Sequence, residues 1–333
     1  MDKINLCCHE LAVIIPTLNE ENYIERCLES VARQSFPFEK MDVMVIDGGS
    51  KDRTREIVSD YCRQHANVRL LDNPKRIQAA AFNIGVANSS APIIIRMDAH
   101  AYYHDYYVEG CVTRLRENDR RGNVGGQWDI QPQNESKWAI ANAILNASKF
   151  GIGGATYRIG AQAGNVDTVP FGAFPRRVID EIGGMREDLV RGEDNEYNSR
   201  ITHAGYDIFF DPRIVCTYYA RPSLIASCKQ MYANGLSIGQ LLYVDKSAVA
   251  IRHLVPFVFV LALLVSAIGA LFLRPFLWLL ITIFASYLIS AVLASISPSK
   301  KYGIDYLVLL PVMFLSVHCS YGWGTLVGLV KYA

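Results

Sequence analysis

A doubly wound α/β fold is predicted for the first two thirds of the chain, and two observations predict it. Continuous apolar runs rich in β-branched residues recur at Leu11–Pro16 (LAVIIP), Val43–Asp47 (VMVID) and Ile93–Asp98 (IIIRMD). Runs of that kind are strands buried on both faces, as in a parallel sheet. Between them lie helical periods, at Tyr23, Ile24, Cys27, Leu28 and Val31, then at Ile57, Val58, Tyr61 and Cys62, and over Gln78–Asn88. A short strand at Val68–Leu71 precedes the third helix. Strands alternating with amphipathic helices give a sheet covered on both sides.

The last third is of a different kind. Charged residues are dense up to Arg252 and then nearly vanish, leaving apolar runs at Leu254–Leu273, Phe276–Ser297 and Tyr306–Val330. Each reaches the ~20 residues that cross a ~30 Å hydrocarbon core as a helix. Buried helices of a large soluble core are the alternative, but three such runs in succession exceed what soluble helices bury. The expected organisation is a catalytic domain over residues 1–221, a linker or interfacial segment over 222–252, and three transmembrane helices over 253–333. With the N-terminal domain in the cytoplasm, Lys300–Lys301 falls inside after two crossings, while Arg274 and Lys331 fall outside. The two-residue break at Arg274–Pro275 is short enough for a hairpin that need not emerge fully.

Met1–Glu10 is polar and short, unlike a secretory signal. With 33 basic and 32 acidic residues, the net charge of +1 gives no field that recruits nucleic acid. The eight cysteines have no regular spacing and are expected to be reduced thiols, Cys7 and Cys8 before His9 included.

In a doubly wound sheet, ligands bind beyond the carboxyl ends of the strands. Those ends read Pro16-Thr17-Leu18-Asn19-Glu20, Asp47-Gly48-Gly49-Ser50 and Asp98-Ala99-His100, so three successive strands deliver polar or acidic groups to one rim. No G-x-G-x-x-G follows the first strand and no Walker lysine loop occurs, which excludes the common dinucleotide and P-loop sites. Asp98 and His100 project to the same side of an extended segment and are candidate ligands for Mn²⁺ or Mg²⁺. A cation there would neutralise a diphosphate leaving group. A helix-capping Asp with an incidental His is the bland reading.

Asp47 can take hydrogen bonds from a base or ribose, or build a turn with Gly48-Gly49-Ser50, and both can hold at once. Asp52 reads as a helix cap. Arg76 is a candidate phosphate contact, or part of a solvated basic loop. Arg191-Gly192-Glu193-Asp194 opens a later helix, where two carboxylates are electrostatically favoured. Sugar transfer needs a base for an acceptor hydroxyl, and Asp194 is the candidate, with Glu193 positioning the acceptor.

The ordered strings VIIPTLNEEN, VIDGGSKDRT, RMDAH and GGMREDLVRGEDNEYNSRI resemble family 2 glycosyltransferases of the GT-A fold, a doubly wound mixed sheet with a Rossmann-like nucleotide-binding half. More narrowly, NPKRIQAAAFNIG, RMDAH, VDTVPFGAF and GEDNEYNSRI resemble succinoglycan-type exopolysaccharide glucosyltransferases, the likeness running from about Leu11 to Pro222. The resemblance implies that Pro16, Thr17, Asn19 and Glu20 border the nucleoside and that Asp47 reads uracil. It places Arg76 and Asn83 along the donor, Asp98 and His100 at the family's Asp-x-Asp motif, and Asp194 at its base. It implies an inverting transfer from a UDP-sugar, with glucose the expected hexose. His100 replaces the general family's second aspartate, as in the exopolysaccharide subgroup. After the base, Gln230-Met231-Tyr232-Ala233-Asn234 keeps only the glutamine of the processive Gln-x-x-Arg-Trp motif, leaving Gln230 on the acceptor side and speaking against processive synthesis.

Ser223–Val244 has helical spacing and reads either as an interfacial helix or as one packing on the catalytic domain. The expected acceptor is a polyprenyl-diphosphate-linked glycan in an inner or plasma membrane, with the catalytic domain cytoplasmic. Alternatives are another lipid acceptor, such as a glycolipid or dolichol-type carrier, or a catalytically silent membrane scaffold. A small transporter is excluded by the lack of intramembrane charges and repeat-like halves.

Overall fold

The structure, a computed structural model, describes residues 9–333, so the Cys7–Cys8 pair lies outside the described residues. The chain begins with β1 (Leu11–Thr17), α1 (Ile24–Ala32), β2 (Met41–Asp47), α2 (Thr54–Gln64), β3 (Val68–Asp72) and α3 (Gln78–Ala87). Next come β4 (Ile93–Arg96), β5 (Ala101–Tyr103), α4 (Tyr107–Glu117) and β6 (Arg121–Pro132). Three helices follow: α5 (Lys137–Ala147), α6 (Lys149–Ile152) and α7 (Thr156–Ile159). The chain continues through β7 (Gly164–Asn165), β8 (Ala173–Pro175), α8 (Arg176–Ile182), α9 (Glu193–His203) and β9 (Asp207–Ala220). It ends in α10 (Leu224–Val244), α11 (Ile251–Ala270), α12 (Arg274–Tyr302) and α13 (Tyr306–Lys331).

These elements form two compact units. The first holds the residues up to Asp129 together with Gly160–Tyr218, and the second holds Ile130–Ile159 and Tyr219–Ala333. The stretch Ile130–Ile159 therefore leaves the sheet-bearing unit, whereas the sequence suggested one continuous domain to residue 221. Its helices carry apolar residues that are buried within the second unit, and this is what draws the segment there.

The sheet of the first unit runs β3-β2-β1-β4-β8-β6-β9-β5, with β7 paired to β9. β3, β2, β1 and β4 are parallel, as expected, and β4 pairs antiparallel with β8, so the whole is a mixed sheet. Residues Leu11–Ile15 are fully buried because both faces of β1 are covered. Leu11, Val13 and Ile15 join a core with Ile24, Cys27, Leu28 and Val31 of α1. Ile14 faces the other way, onto α3, where Gly85 makes room: a Cβ there would stand 2.4 Å from Ile14 Cδ1. β4 stops at Arg96, two residues before the end of the apolar run; the Met97 N–H still donates to the Ile14 carbonyl at 2.9 Å, and Asp98 leaves the ladder.

In the second unit α11, α12 and α13 are long and apolar enough to span a membrane, with mean hydropathies of 2.3, 2.3 and 1.4. Val255, Val258, Leu261, Leu277, Trp278, Ile289 and Leu293 are all exposed along α11 and α12, a surface suited to hydrocarbon. α13 is less apolar because protein covers more of it. Ala141 and Leu145 of α5 and Met231 of α10 share its buried cluster with Leu310, Met313, Phe314 and Val317. His318 of the third run is held between Tyr287 Oη and the Gly151 carbonyl, each at 2.8 Å.

α10 settles against α13 as a packing helix. Gly235 meets the Tyr321 carbonyl and Gly239 meets the Gly328 backbone, while Gly324 and Gly328 meet the Tyr232 and Leu236 carbonyls. Glycines four apart on both helices let the backbones approach closely, the small-residue seam favoured inside membranes.

Filling that seam should break it. A Cβ at Gly235 would stand 2.0 Å from Tyr321 O, and one at Gly239 2.6 Å from Gly328, both against backbone that cannot move aside. Gly235→Val or Gly239→Leu should cost about 1–3 kcal/mol or more in thermal unfolding of the detergent-solubilised protein. Gly154→Ala, with nothing within 4 Å of its Cβ, should leave the unfolding temperature unchanged.

Candidate active site

The loops after β1 and β2 are laced into one rim. Asn19 adopts a left-handed φ of 55°, which a short polar side chain tolerates. Its N–H donates to Ser50 Oγ at 2.8 Å and its Oδ1 accepts from the Lys51 N–H at 2.9 Å. The Glu20 N–H donates to Thr54 Oγ1, and the Gly48 N–H to the Thr17 carbonyl, each at 2.8 Å. Asp52 accepts from the Thr54 and Glu21 N–H groups, confirming its structural role.

Asp47 lies at the centre of this rim with its side chain fully closed off. It accepts from the Gly49 N–H at 2.9 Å, the Ser50 N–H at 3.0 Å, Ser50 Oγ, and Arg55 Nη1 at 2.8 Å. Burial works to raise its pKa, but the hydrogen bonds from Ser50 and Arg55 outweigh it and hold the carboxyl below its ordinary value. The turn-building reading is therefore the one realised.

Arg76, also left-handed at φ 59°, is exposed and lays its guanidinium over Gly49, with Nη2 3.5 Å from where a Cβ would be. A phosphate-binding role remains open to it. Asn83 has another task. It donates to the Met185 carbonyl and to Glu187 Oε1, and accepts from the Met185 N–H, all at 2.8 Å. These bonds tie α3 to the turn before α9, so Asn83 acts as a structural clasp.

At the exit of β4 the side chains converge. Arg96 is buried, donating Nε to Asp98 Oδ1 at 3.1 Å and Nη1 to Glu193 Oε1 at 3.4 Å. Its partners are buried as well, with side-chain exposures of 6% for Arg96, 10% for Asp98 and 6% for Glu193. Asp98 is further fixed by its own backbone, since its N–H donates to Tyr103 Oη at 2.5 Å. Glu20 comes across from the first loop to His100, Oε1 to Nδ1 at 3.1 Å.

Glu193 and Asp194 open α9 behind Gly192, whose φ of 80° starts the helix without a side-chain cap. Phe82, Phe174 and Tyr197 pack edge to face at 5.5–5.8 Å and hold the helix in place. Asp194 is exposed and Glu193 is buried. Burial first, and then the charge of Asp194, push the Glu193 carboxyl up to about 7 against the pull of Arg96. Burial would lower the Arg96 pKa, yet the charges of Asp98, Glu193 and Asp194 raise it. Glu193 is thereby a buried ion-pair partner of Arg96. Gln230 stands on α10, in the second unit.

Arg96 escaped the sequence reading although a signal was present. An arginine closing an otherwise apolar strand, two residues before an aspartate, has to find carboxylates.

A model of the family described as Glycosyl transferase family 2 matches residues 12–183. The chain belongs to glycosyl transferase family 2. Succinoglycan biosynthesis protein ExoA of Rhizobium meliloti (strain 1021) is 31% identical over 261 residues, 78% of this chain and 77% of its own. A dolichyl N-acetyl-alpha-D-glucosaminyl phosphate 3-beta-D-2,3-diacetamido-2,3-dideoxy-beta-D-glucuronosyltransferase of Methanococcus voltae is 29% identical over 328 residues, 96% of this chain and 97% of its own. Among solved structures, a mannosyltransferase from Pyrobaculum calidifontis in complex with GDP-Man and Mn²⁺ superposes with a TM-score of 0.60 at 19% identity. The superposition covers 94% of this chain and 87% of that one. TarS of S. aureus in complex with UDP-GlcNAc gives 0.53 at 15% identity, over 95% and 90%. These structures share the fold, which is GT-A.

The mannosyltransferase named above was solved with Mn²⁺. No group of three or more His, Cys, Asp or Glu side chains able to hold a metal occurs among the described residues. Two protein donors nevertheless suit a hard cation that completes its shell with water and substrate phosphate. Asp98 and His100 would hold it. Glu20 on Nδ1 would orient the imidazole, as a carboxylate commonly does behind a ligating histidine. When bound, the cation would neutralise charge on the leaving diphosphate.

The buried acid of this family 2 transferase should show in its stability. Glu193 stays protonated in the folded state to about pH 7, while its ordinary value is 4.5. The folded state binds the extra proton between those limits, so this contribution is full below the lower value and is lost as pH rises through the upper one. Glu193→Gln should match the parent's unfolding temperature near pH 5 and exceed it by a few degrees at pH 8, about 2–4 °C for each kcal/mol.

Proposed function

We propose that this glycosyltransferase moves a hexose, with glucose the favoured one, from a UDP-sugar to a lipid-linked glycan, with inversion at the transferred carbon. Asp194 takes the proton of the acceptor hydroxyl. The acceptor oxygen forms its bond to the anomeric carbon as the bond to the diphosphate oxygen breaks, and UDP departs with that electron pair. The observation that carries the reading is the meeting of Asp98, from the end of β4, with the Glu193–Asp194 start of α9 through one guanidinium. This contact supports the reading in which a group suited to a donor cation works beside a carboxylate suited to a base.

The acceptor class rests on two supports. The second unit offers three apolar helices of membrane-spanning length, which support a location where lipid carriers reside. The relatives named above include one acting on a dolichyl phosphate-linked sugar and one in succinoglycan biosynthesis. A polyprenyl-diphosphate-linked glycan is the acceptor proposed, in an inner or plasma membrane with the catalytic unit on the cytoplasmic side. The full-length match to the Methanococcus voltae enzyme favours a second reading, a single-phosphate dolichol-type carrier.

A panel of UDP-sugars, assayed for UDP release with Mn²⁺ or Mg²⁺ and with each carrier, tests the proposal. Release should be highest with UDP-glucose, should stop with chelator, and should require a lipid-linked acceptor. Asp194→Asn should lower turnover by about 10²–10⁴-fold, the usual worth of a general base, while UDP binding by calorimetry persists. Retained turnover in that variant removes Asp194 from the chemistry.

A further inference from the structure

The donor-side and base-side groups of the site come from segments 97 residues apart, and Arg96 touches both. Its environment is unusual for a charge: apolar strand residues Ile93, Ile94 and Ile95 precede it, and Met97 and Ala99 beside it are buried. A lysine at the same place would present one compact ammonium, whereas a guanidinium offers a planar fork whose separate nitrogens serve separate acceptors. Here Nε serves Asp98 and Nη1 serves Glu193.

We infer that Arg96 is a positioning residue, a rigid spacer that sets the separation between donor-binding Asp98 and the first turn of α9, and through it the place of Asp194. The inference rests on the transferase reading above. Asp98 has its backbone pinned by Tyr103, and the body of α9 is pinned by the Phe82–Phe174–Tyr197 cluster. What those anchors leave undetermined is the last stretch between the two carboxylates, which the guanidinium bridges. An error of about 1 Å between reacting groups can cost on the order of 100-fold in rate, so a spacer of this kind matters for turnover more than for binding.

The test uses full-length protein in detergent and the variants Arg96→Lys, Arg96→Met, and Arg96→Met combined with Glu193→Gln. Three quantities are read: affinity for UDP with Mn²⁺ by calorimetry, turnover with the nucleotide sugar that the wild type uses best, and amide hydrogen exchange over residues 193–197. Arg96→Lys keeps the charge and should bind UDP within about threefold of wild type, yet lose about 100-fold in turnover and exchange faster at the start of α9. Arg96→Met leaves a buried carboxylate without its cation and should unfold at lower temperature. Adding Glu193→Gln relieves only the Glu193 side, since Asp98 stays buried without its cation, so the double variant should regain part of its unfolding temperature but none of its turnover.

Turnover within threefold of wild type in folded Arg96→Lys would overturn the inference. Recovery of turnover together with stability in the double variant would also overturn it, reducing Arg96 to a neutralising charge. Wild-type protein inert with every nucleotide sugar would instead remove the transferase reading. The exchange result then decides the spacer by itself, since unchanged exchange at α9 in Arg96→Lys would show that Arg96 sets nothing there.

Discussion

A guanidinium enclosed by protein and shared between two carboxylates is the interaction on which this site depends. Taking three charges out of water is expensive, and such clusters persist only where geometry and mutual attraction offset the cost. Here the offset is incomplete on the Glu193 side. The contact is long, 3.4 Å against 3.1 Å for Asp98, and the Glu193 carboxyl titrates near neutrality. Asp98 is thus the guanidinium's closer partner and Glu193 the one whose charge it holds less firmly. Perturbed carboxyls of this kind gather where chemistry is done.

The other side of the rim is built on a different principle. Asp47 is satisfied four times over by its own turn and by Arg55, and its charge is spent on shape. That turn carries Gly48 and Gly49, over which Arg76 lies, while the loop of Asn19 and Glu20 is fastened to it by Ser50 and Thr54. One buried carboxylate therefore organises two loops, and through Glu20 the arrangement extends to His100. The edge is a pre-shaped surface, and a ligand binding to such a surface has a lower ordering cost.

How much of this was legible in the sequence follows from what each residue has to satisfy. The parallel half of the sheet was readable because strands buried on both faces admit little but apolar residues, as Leu11–Ile15 and Val43–Ile46 show. The antiparallel half was not read, since β8 is three residues long and β6 carries Gly125, Gly126 and Gln127 in place of an apolar run. Asp98, His100 and Asp194 could be nominated from their places at strand ends and at a helix start. The separate duties of Glu193 and Asp194 could not, because burial distinguishes two adjacent carboxylates and burial is a property of the packed chain. The structural partners of Asn83 and Asp47 were hidden for a related reason: their polar groups face inward, toward a turn before α9 and toward the adjacent glycines.

The excursion of Ile130–Ile159 has a practical meaning for anyone dissecting this enzyme. Because the chain passes from the sheet-bearing unit to the helical one, returns, and passes over again, no single cut separates them. Removing everything after Tyr218 would strip α5 of the Phe314 and Met313 surface that buries Ala141 and Leu145, leaving a greasy flap on an otherwise polar body. A water-soluble version of the sheet-bearing unit therefore calls for two excisions, with Asp129 rejoined to Gly160 by a short linker.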